Sequence, residues 1–407
     1  MDKDLVFEEI EKMKDEMTQT LMELVRIPAM APQSGGDGEY KRAERLIQIL
    51  ETMGLTTSEH FDADDERVTS KKRPNIVTWL EGNSKERLWI VTHLDMVPPG
   101  EEALWTATKP FDPTVKDGKI YGRGTEDNLQ AMVSSIYAMK ALKNLGIKPK
   151  RTVALCFVAD EENGSKYGIR YLIGKGIFRN DDLVVVPDGG SSDGSFIEIA
   201  EKSSLWLKIS TFGKQTHASR PGDGLNANRV GMEYALALDR MLHQKYSAKD
   251  EYFDPPESTF EPTRKEKNVD AVNIVPGEDI FYFDCRILPR YDTDEVLKEI
   301  KTLAAAFEQK SGAKITIEIT SKTTAPKPTD PNARIVSMFK EALETTRGIK
   351  TKIGGIGGGT CAAYFRKAGI PAVVWSTSDE MAHQPNEYSK IKNMIDDSKI
   401  FAQLATM

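Results

Sequence analysis

The chain has 407 residues, 39% of them hydrophobic and 29% charged, with a net charge of −7. That is enough for two domains and a large core, and the composition excludes a disordered chain. The acidic balance, with no long basic block, argues against a nucleic-acid partner, and apolar runs such as "LVVV" at 183–186 are far too short to span a bilayer.

Residues 3–26 place Leu5, Val6, Ile10, Met13, Met17, Leu21 and Leu24 at helical spacing, ending at "RIPAMAPQSGG". This acidic, amphipathic start has no basic segment followed by an apolar one, so a cytoplasmic protein without membrane association is expected. A second helix is predicted near 39–54, then strands at "PNIVTWLEG" and "RLWIVTHLD". Leu129, Met132, Val133, Ile136, Met139 and Leu142 predict a helix stopped by Gly146. The strands "TVALCFVAD" and "DLVVVPD" follow, with helical "GSKYGIRYLIGKG" between them. Alternating strands and helices imply a layered α/β sheet.

The texture changes after about residue 202. "SLWLKISTFG" alternates like a half-exposed strand, and "GLNANRVGMEYALALDRMLHQ" reads as a helix. "VNIVPGEDIFYFDCRILP" gives two strands around a Pro-Gly turn, "DTDEVLKEIKTLAAAFEQKSG" a helix and "AKITIEIT" a strand. These are the elements of a β-α-β-β-α-β sandwich. Helical "ARIVSMFKEALETT", a glycine cluster, helical "CAAYFRKAG", the strand "IPAVVWS" and a closing helix restore the α/β pattern. The expected organisation is a catalytic α/β domain at 1–202 and 322–407, interrupted by an α+β domain at 203–321. Cys156, Cys285 and Cys361 are odd in number and widely spaced, which suggests neither a disulfide framework nor a CxxC zinc site.

"FVADEENGSKYG" raises the question of function, because it sets Asp160, Glu161 and Glu162 side by side at the end of a buried strand. Either the carboxylates point into water or a cation awaits them. Five histidines occur, and two of them also follow apolar strands: His93 in "RLWIVTHLD" and His383 in "VVWSTSDEMAHQPNE". Asp95, two residues after His93, could fix its tautomer; a loop histidine near an unrelated acid is the plainer reading. Asp127 precedes a helix, where an acid is usually a cap. Asp188 ends the strand "DLVVVPD", at the edge where open α/β sheets form crevices. His93, Asp127, Glu161 or Glu162, Asp188 and His383 are thus expected at one edge, a set that suits two zinc-like ions, each with one imidazole and otherwise oxygens.

"HLDMVPPG", "YGRGTEDN", "ADEENGS", "PDGG", "GKQTHASRPGDGLNA", "VNIVPGEDIFYFDCR" and "AHQPNE" occur in the order and spacing of one group. Together they resemble the two-zinc metallopeptidase and deacylase family of aminoacylase, glutamate carboxypeptidase, acetylornithine deacetylase and succinyl-diaminopimelate desuccinylase, over nearly the whole chain. The resemblance implies a zinc-exopeptidase-like mixed sheet flanked by helices, with a ferredoxin-like insertion serving as lid and dimerisation domain. It implies that His93 and Asp188 hold one ion, Glu162 and His383 the other, and that Asp127 bridges them, followed by a cis peptide to Asn128. Asp95 would orient His93, and Glu161 would be the general base toward metal-activated water. His217 would stabilise the oxyanion, often from a neighbouring subunit.

By the same resemblance Asn273 and Arg286 would contact substrate, Arg286 by bidentate capture of a carboxylate; a salt bridge is its plainer role. "GGIGGGT", with Gly358, Gly359 and Thr360, precedes a helix and would receive a substrate carboxylate through backbone amides. It lacks the spacing of a phosphate loop. Cys361 departs from the family, where many members have Asp. His60 and His243 fall outside the motifs and are expected on the surface.

The expected activity is hydrolysis of a small N-acyl amino acid of the desuccinylase or acetylornithine deacetylase kind, with two divalent ions: zinc, or else cobalt or manganese. A dipeptidase or carboxypeptidase acting on short peptides is the alternative. A non-catalytic, metal-binding regulatory homologue is the rival from another class, disfavoured because every expected ligand and the base are present. A homodimer through the insertion is expected.

Overall fold

The computed structural model describes residues 3–407. The chain divides into two compact units, the first comprising residues up to Ile199 with Thr329–Ile353 and Thr360–Met407, the second Ala200–Pro328 with Gly354–Gly359. The glycine-rich stretch 354–359 therefore groups with the second unit, although its place in the sequence assigns it to the catalytic part.

An eight-stranded sheet runs in the order Ser58–His60, Ile76–Leu80, Thr152–Val158, Arg87–His93, Leu183–Ser191, Ala372–Thr377, Phe196–Glu201 and Lys352–Ile356. Thr152–Val158, Arg87–His93, Leu183–Ser191 and Ala372–Thr377 form its parallel centre, and the pairings of Ile76–Leu80 and Phe196–Glu201 to it are antiparallel. The sheet is therefore mixed. "RLWIVTH" and "TVALCFV" are buried after their first residue, as continuous apolar runs in a sheet covered on both faces should be. Helices Gln130–Asn144, Arg334–Arg347 and Ile391–Thr406 flank it, and Gln130–Asn144 is buried almost all round.

Register brings the strand ends level. His93 pairs with Val158, two residues before Asp160, and Ile90 pairs with Val185, so His93 and Asp188 each lie three residues further along. The strand carrying Asp188 continues to Ser191 beside Ala372–Thr377. A Cβ on Gly190 would lie 1.8 Å from the Ser376 carbonyl oxygen, so only glycine fits there.

The first predicted helix is interrupted: Lys3–Lys12 and Lys14–Val25 meet at Met13. "GSKYGIRYLIGKG" yields only Ile169–Gly174, because the residues before it form the loop after the acidic triplet.

In the second unit Ser203–Phe212, Ala227–Lys245, Thr259–Lys265, Glu278–Ile287, Thr293–Ser311 and Lys314–Thr323 follow one another as β-α-β-β-α-β. The four strands are antiparallel, in the order Thr259–Lys265, Glu278–Ile287, Ser203–Phe212, Lys314–Thr323, a ferredoxin-like arrangement. Alternating Leu205, Leu207, Ile209, Phe281, Phe283 and Cys285 meet Tyr234, Leu238, Val296 and Ile300 of the helices. Among the described residues, no helix is long and apolar enough to cross a membrane.

Candidate metal centre

His93, at the end of its strand, is 2% exposed. Its Nδ1 lies 3.1 Å from the Asp95 carbonyl oxygen. A carbonyl only accepts, so Nδ1 carries a proton and Nε2 is the nitrogen left to face the carboxylates or a metal. That Nε2 lies 2.8 Å from Asp127 Oδ1 and 3.5 Å from Asp188 Oδ1. From the other side, His383 Nε2 lies 3.0 Å from Asp127 Oδ2 and 3.2 Å from Glu162 Oε2. Asp127 thus offers one oxygen to each imidazole.

Asp127 is not a helix cap. The helix starts at Gln130 with Leu129 in its cap position, two residues after Asp127, and Asp127 instead precedes a cis peptide to Asn128. Asn128, expected only as the residue after a cis peptide, ties this turn to two strands. Its Nδ2 donates to Pro187 O at 2.9 Å and Asp188 Oδ1 at 3.1 Å, and its Oδ1 accepts from His93 N at 3.2 Å.

The acidic triplet divides at Asp160, whose φ of 62° reverses the backbone. Asp160 turns to buried Arg73, whose Nη2 is 3.4 Å away, while Glu161 and Glu162 join the imidazoles. Asp95 holds the turn, since its two carboxylate oxygens accept from Glu161 N at 3.0 Å and Glu162 N at 3.1 Å. Its carboxylate stands 3.5 Å from His93 Nδ1, so the expected orienting contact is made chiefly through the Asp95 carbonyl.

One ligand atom from each of His93, Glu161 and Asp188 can be chosen with all three within 4.8 Å of one another, and the same is true of His93, Asp127 and Glu162. Zinc–ligand bonds of about 2.0–2.2 Å in tetrahedral geometry separate neighbouring donors by roughly 3.3 Å, the scale of the four imidazole–carboxylate distances. Electrostatics favours cations too. Burial disfavours the charged His93 imidazole, yet Asp188, Asp127 and Asp95 outweigh this and hold its pKa well above the usual value. Hydrogen bonds to Asp127 and Glu162 push His383 up to about 10. Burial, with Asp127 close by, pushes Glu162 up to about 7, and burial with Asp188 raises Glu161. Burial opposes the low pKa of Asp127, but the two imidazoles prevail. Left to itself the cluster binds protons, which divalent ions would displace. Glu162 Oε1 is buried without a hydrogen-bond partner, consistent with a ligand atom. The donor set fits the expected ions.

His217, Asn273, Arg286, Gly358 and Gly359 belong to the second unit, and Thr360 to the first. His217 and Asn273 share a short ribbon, in which Thr216–His217 pairs with Ile274–Val275 and Ala218 N donates to Asn273 O at 2.8 Å. Ser219 N–H donates to His217 Nδ1 at 3.1 Å, so the neutral imidazole carries its proton on Nε2, as an exposed donor.

Arg286 departs from expectation. Its Nε and Nη2 already grip Asp284, at 2.7 and 3.0 Å, and its Nη1 donates to Gly357 O at 3.0 Å. With that fork occupied, bidentate capture of a substrate carboxylate would require breaking the Asp284 pair. The anion site expected at Gly358, Gly359 and Thr360 is also weaker than the sequence suggests. The helix after it, Ala362–Lys367, has six residues, and Thr360 Oγ1 accepts from Ala362 N at 3.1 Å. Cys361 is buried with its Sγ 3.7 Å from Ser165 Oγ, and burial raises its thiol well above the ordinary range. His60 and His243 are exposed.

The sequence profile of peptidase family M20/M25/M40 matches residues 89–407. An uncharacterised metallohydrolase of Methanocaldococcus jannaschii is 40% identical over 401 residues, 94% of this chain and 97% of that one. A succinyl-diaminopimelate desuccinylase of Rickettsia bellii is 27% identical over 385 residues, 93% of each chain. The aminopeptidase PepT of Bacillus cereus shares the fold, with a TM-score of 0.74 at 20% identity over 96% of this chain and 98% of its own. From the profile match and the shared fold, the chain belongs to peptidase family M20/M25/M40 and is a hydrolase of amide bonds that works with divalent metal.

Proposed function

We propose that this protein is a two-metal deacylase that removes the acyl group from a small N-acyl amino acid, as a succinyl-diaminopimelate desuccinylase or acetylornithine deacetylase does. The observation that carries the reading is the placing of His93 and His383 on opposite oxygens of Asp127. In this reading His93 and Asp188 would hold one ion, Glu162 and His383 the other, and Asp127 would serve both; zinc suits the donors, as do cobalt and manganese. Bound ions supply Lewis acidity to the scissile carbonyl and lower the pKa of water toward about 7.

Asp95, by fixing the amides of residues 161 and 162, aims neighbouring carboxylates at different tasks. Glu161 takes the proton from attacking water and returns it to the leaving amine. His217, with its proton on Nε2, donates to the carbonyl oxygen as negative charge develops there, from its own chain or from a partner's. Asn273, beside it on the ribbon, contacts substrate, while Arg286 holds the glycine-rich stretch through Gly357. The protein is cytoplasmic, and its second unit acts as lid and dimerisation domain.

Desuccinylase similarity along 93% of the chain supports the deacylase over a dipeptidase or carboxypeptidase using the same groups. Turnover of N-succinyl, N-acetyl and dipeptide substrates, measured with added Zn²⁺, Co²⁺ or Mn²⁺, tests this; cleavage of peptides alone would remove the deacylase. Glu161→Gln should keep its metal and lose about 10²–10⁴ in kcat, whereas a regulatory protein would show no turnover to lose. Sedimentation tests the dimer. A mixed dimer of His217→Ala and Glu161→Gln should recover activity if His217 serves the partner, and no recovery would confine it to its own chain.

A further inference from the structure

We propose that Glu126 and Glu387 form a reciprocal carboxylate clasp between residues 122–128 and 378–388, and that this clasp sets the placement of His383 opposite Asp127. Both glutamates accept hydrogen bonds from backbone amides, and Glu387 also from Arg123. Each sits close in sequence to one of Asp127 and His383 and bonds the backbone that carries the other. Glu126, next to Asp127, accepts from Asp379 N at 2.7 Å and from Met381 N, in the turn leading to His383. Glu387, four residues after His383, accepts from Gly124 N at 2.9 Å, Glu126 N at 2.9 Å and Asp127 N at 3.1 Å. Arg123 Nη1 donates to the same carboxylate at 2.6 Å, and Gly122 N donates to the Glu387 carbonyl at 2.9 Å. Four donors converge on a fully buried acid, a complete set for an ionised carboxylate.

His383 needs such support. Its side chain is 55% exposed, so packing does not hold it. Its φ is 63°, and Glu380 and Asn386 in the same turn also have positive φ, at 61° and 60°. Left-handed backbone at non-glycine residues persists only where surrounding bonds over-determine it. The glutamates supply those bonds on the inner side. On the outer side Asn386 Oδ1 accepts from Thr106 N and Ala107 N, both at 2.8 Å. The clasp is therefore a positioning device, and Glu126 and Glu387 are positioning residues. It rests on the reading of His383 and Asp127 as ligands.

The test is Zn²⁺ titration of the stripped full-length protein against a competing chelator, for the wild type, His383→Ala, Glu126→Gln and Glu387→Gln. His383→Ala identifies the ion that depends on this side. Glu126→Gln, acting on the backbone that carries His383, should weaken that same ion by about 10–100-fold and leave the other essentially unchanged, the usual reach of a group that orients a ligand; Glu387→Gln, acting on the backbone of Asp127, which serves both ions, should weaken both. In Glu126→Gln a merely structural role would weaken both ions together, or neither, and either result overturns the clasp; both ions unchanged in Glu387→Gln overturns it too. Should Glu387→Gln fail to fold, Glu126→Gln decides alone, because its half-buried carboxylate is the milder perturbation. Loss of an ion in His383→Ala without loss in Glu126→Gln overturns the clasp and spares the ligand reading. Retention of both ions in His383→Ala overturns both.

Discussion

Replacing Arg73 by Met would remove the cation shared by three buried carboxylates. Arg73 is wholly buried and bonds Glu39 through Nε at 2.7 Å and through Nη2. Its Nη1 lies 3.3 Å from Asp65 Oδ2 and its Nη2 3.4 Å from Asp160 Oδ1. The three acids would not suffer equally. Asp65 keeps Arg67, with Nη2 at 2.8 Å, whereas Glu39 and Asp160 are left with backbone donors, among them Asp160 N at 3.3 Å and Tyr167 N at 3.2 Å. Burial already raises the pKa of Glu39 and Asp160 against the guanidinium, so without it both would take up protons or be desolvated unpaired. Removing one partner of a buried pair costs about 3–5 kcal/mol. At roughly 2–4 °C per kcal/mol, the thermal midpoint should fall by about 6–20 °C.

Calorimetry and urea unfolding of the metal-free protein measure this without interference from bound ions. Adding Glu39→Gln should recover about 1–2 kcal/mol, because one stranded charge is then gone. A loss below about 1 kcal/mol in Arg73→Met, or a further loss on adding Glu39→Gln, would refute the assignment of a buried charge-compensating role.

If His217 is the oxyanion donor proposed, His217→Ala should lower kcat by about 10²–10³ with KM little altered, since such a donor acts on charge that appears only in the transition state; an effect on KM alone would deny that role. Asp65 is held at about 2, chiefly by its hydrogen bond from Arg67, so its stabilising contribution is complete above the unfolded carboxylate pKa of about 4 and disappears as pH falls through about 2. The stability gap between wild type and Asp65→Asn, from urea unfolding, should therefore be widest near pH 5 and narrow toward pH 2; a gap constant with pH would contradict it. Gly190→Ala should cost about 1–3 kcal/mol in urea unfolding and weaken metal binding, because the new Cβ pushes on Ser376 beside the strand that carries Asp188. Unchanged stability would show that the two strands can part without cost.

The sequence revealed the sheet most clearly where burial is two-sided. "RLWIVTH" and "TVALCFV" read as strands because both faces are buried and the run is nearly continuous in apolar residues. Thr259–Lys265 escaped notice because it lies at a sheet edge, with Phe260 its one buried residue and a register shift after Pro262. The imidazoles and acids of the cluster were legible because each stands beside a recognisable strand end or turn. Arg73 and Glu39 were not, since their partners lie far away in sequence and nothing local marks them. For Arg286 the signal was present in "DCR": residues two apart in a strand share a face, and Asp284 is that neighbour.

The strand Ala372–Thr377 lies inside the sheet, between Leu183–Ser191 and Phe196–Glu201, yet the ribosome makes it after the whole second unit. Until it emerges, the nascent first unit has an open seam with two unsatisfied strand edges, a surface prone to pair with other chains. The second unit, whose four-stranded sheet draws only on residues 203–323, has no such wait. Biosynthesis should thus leave the middle of the molecule ordered first, with a keystone arriving late from the C-terminal side.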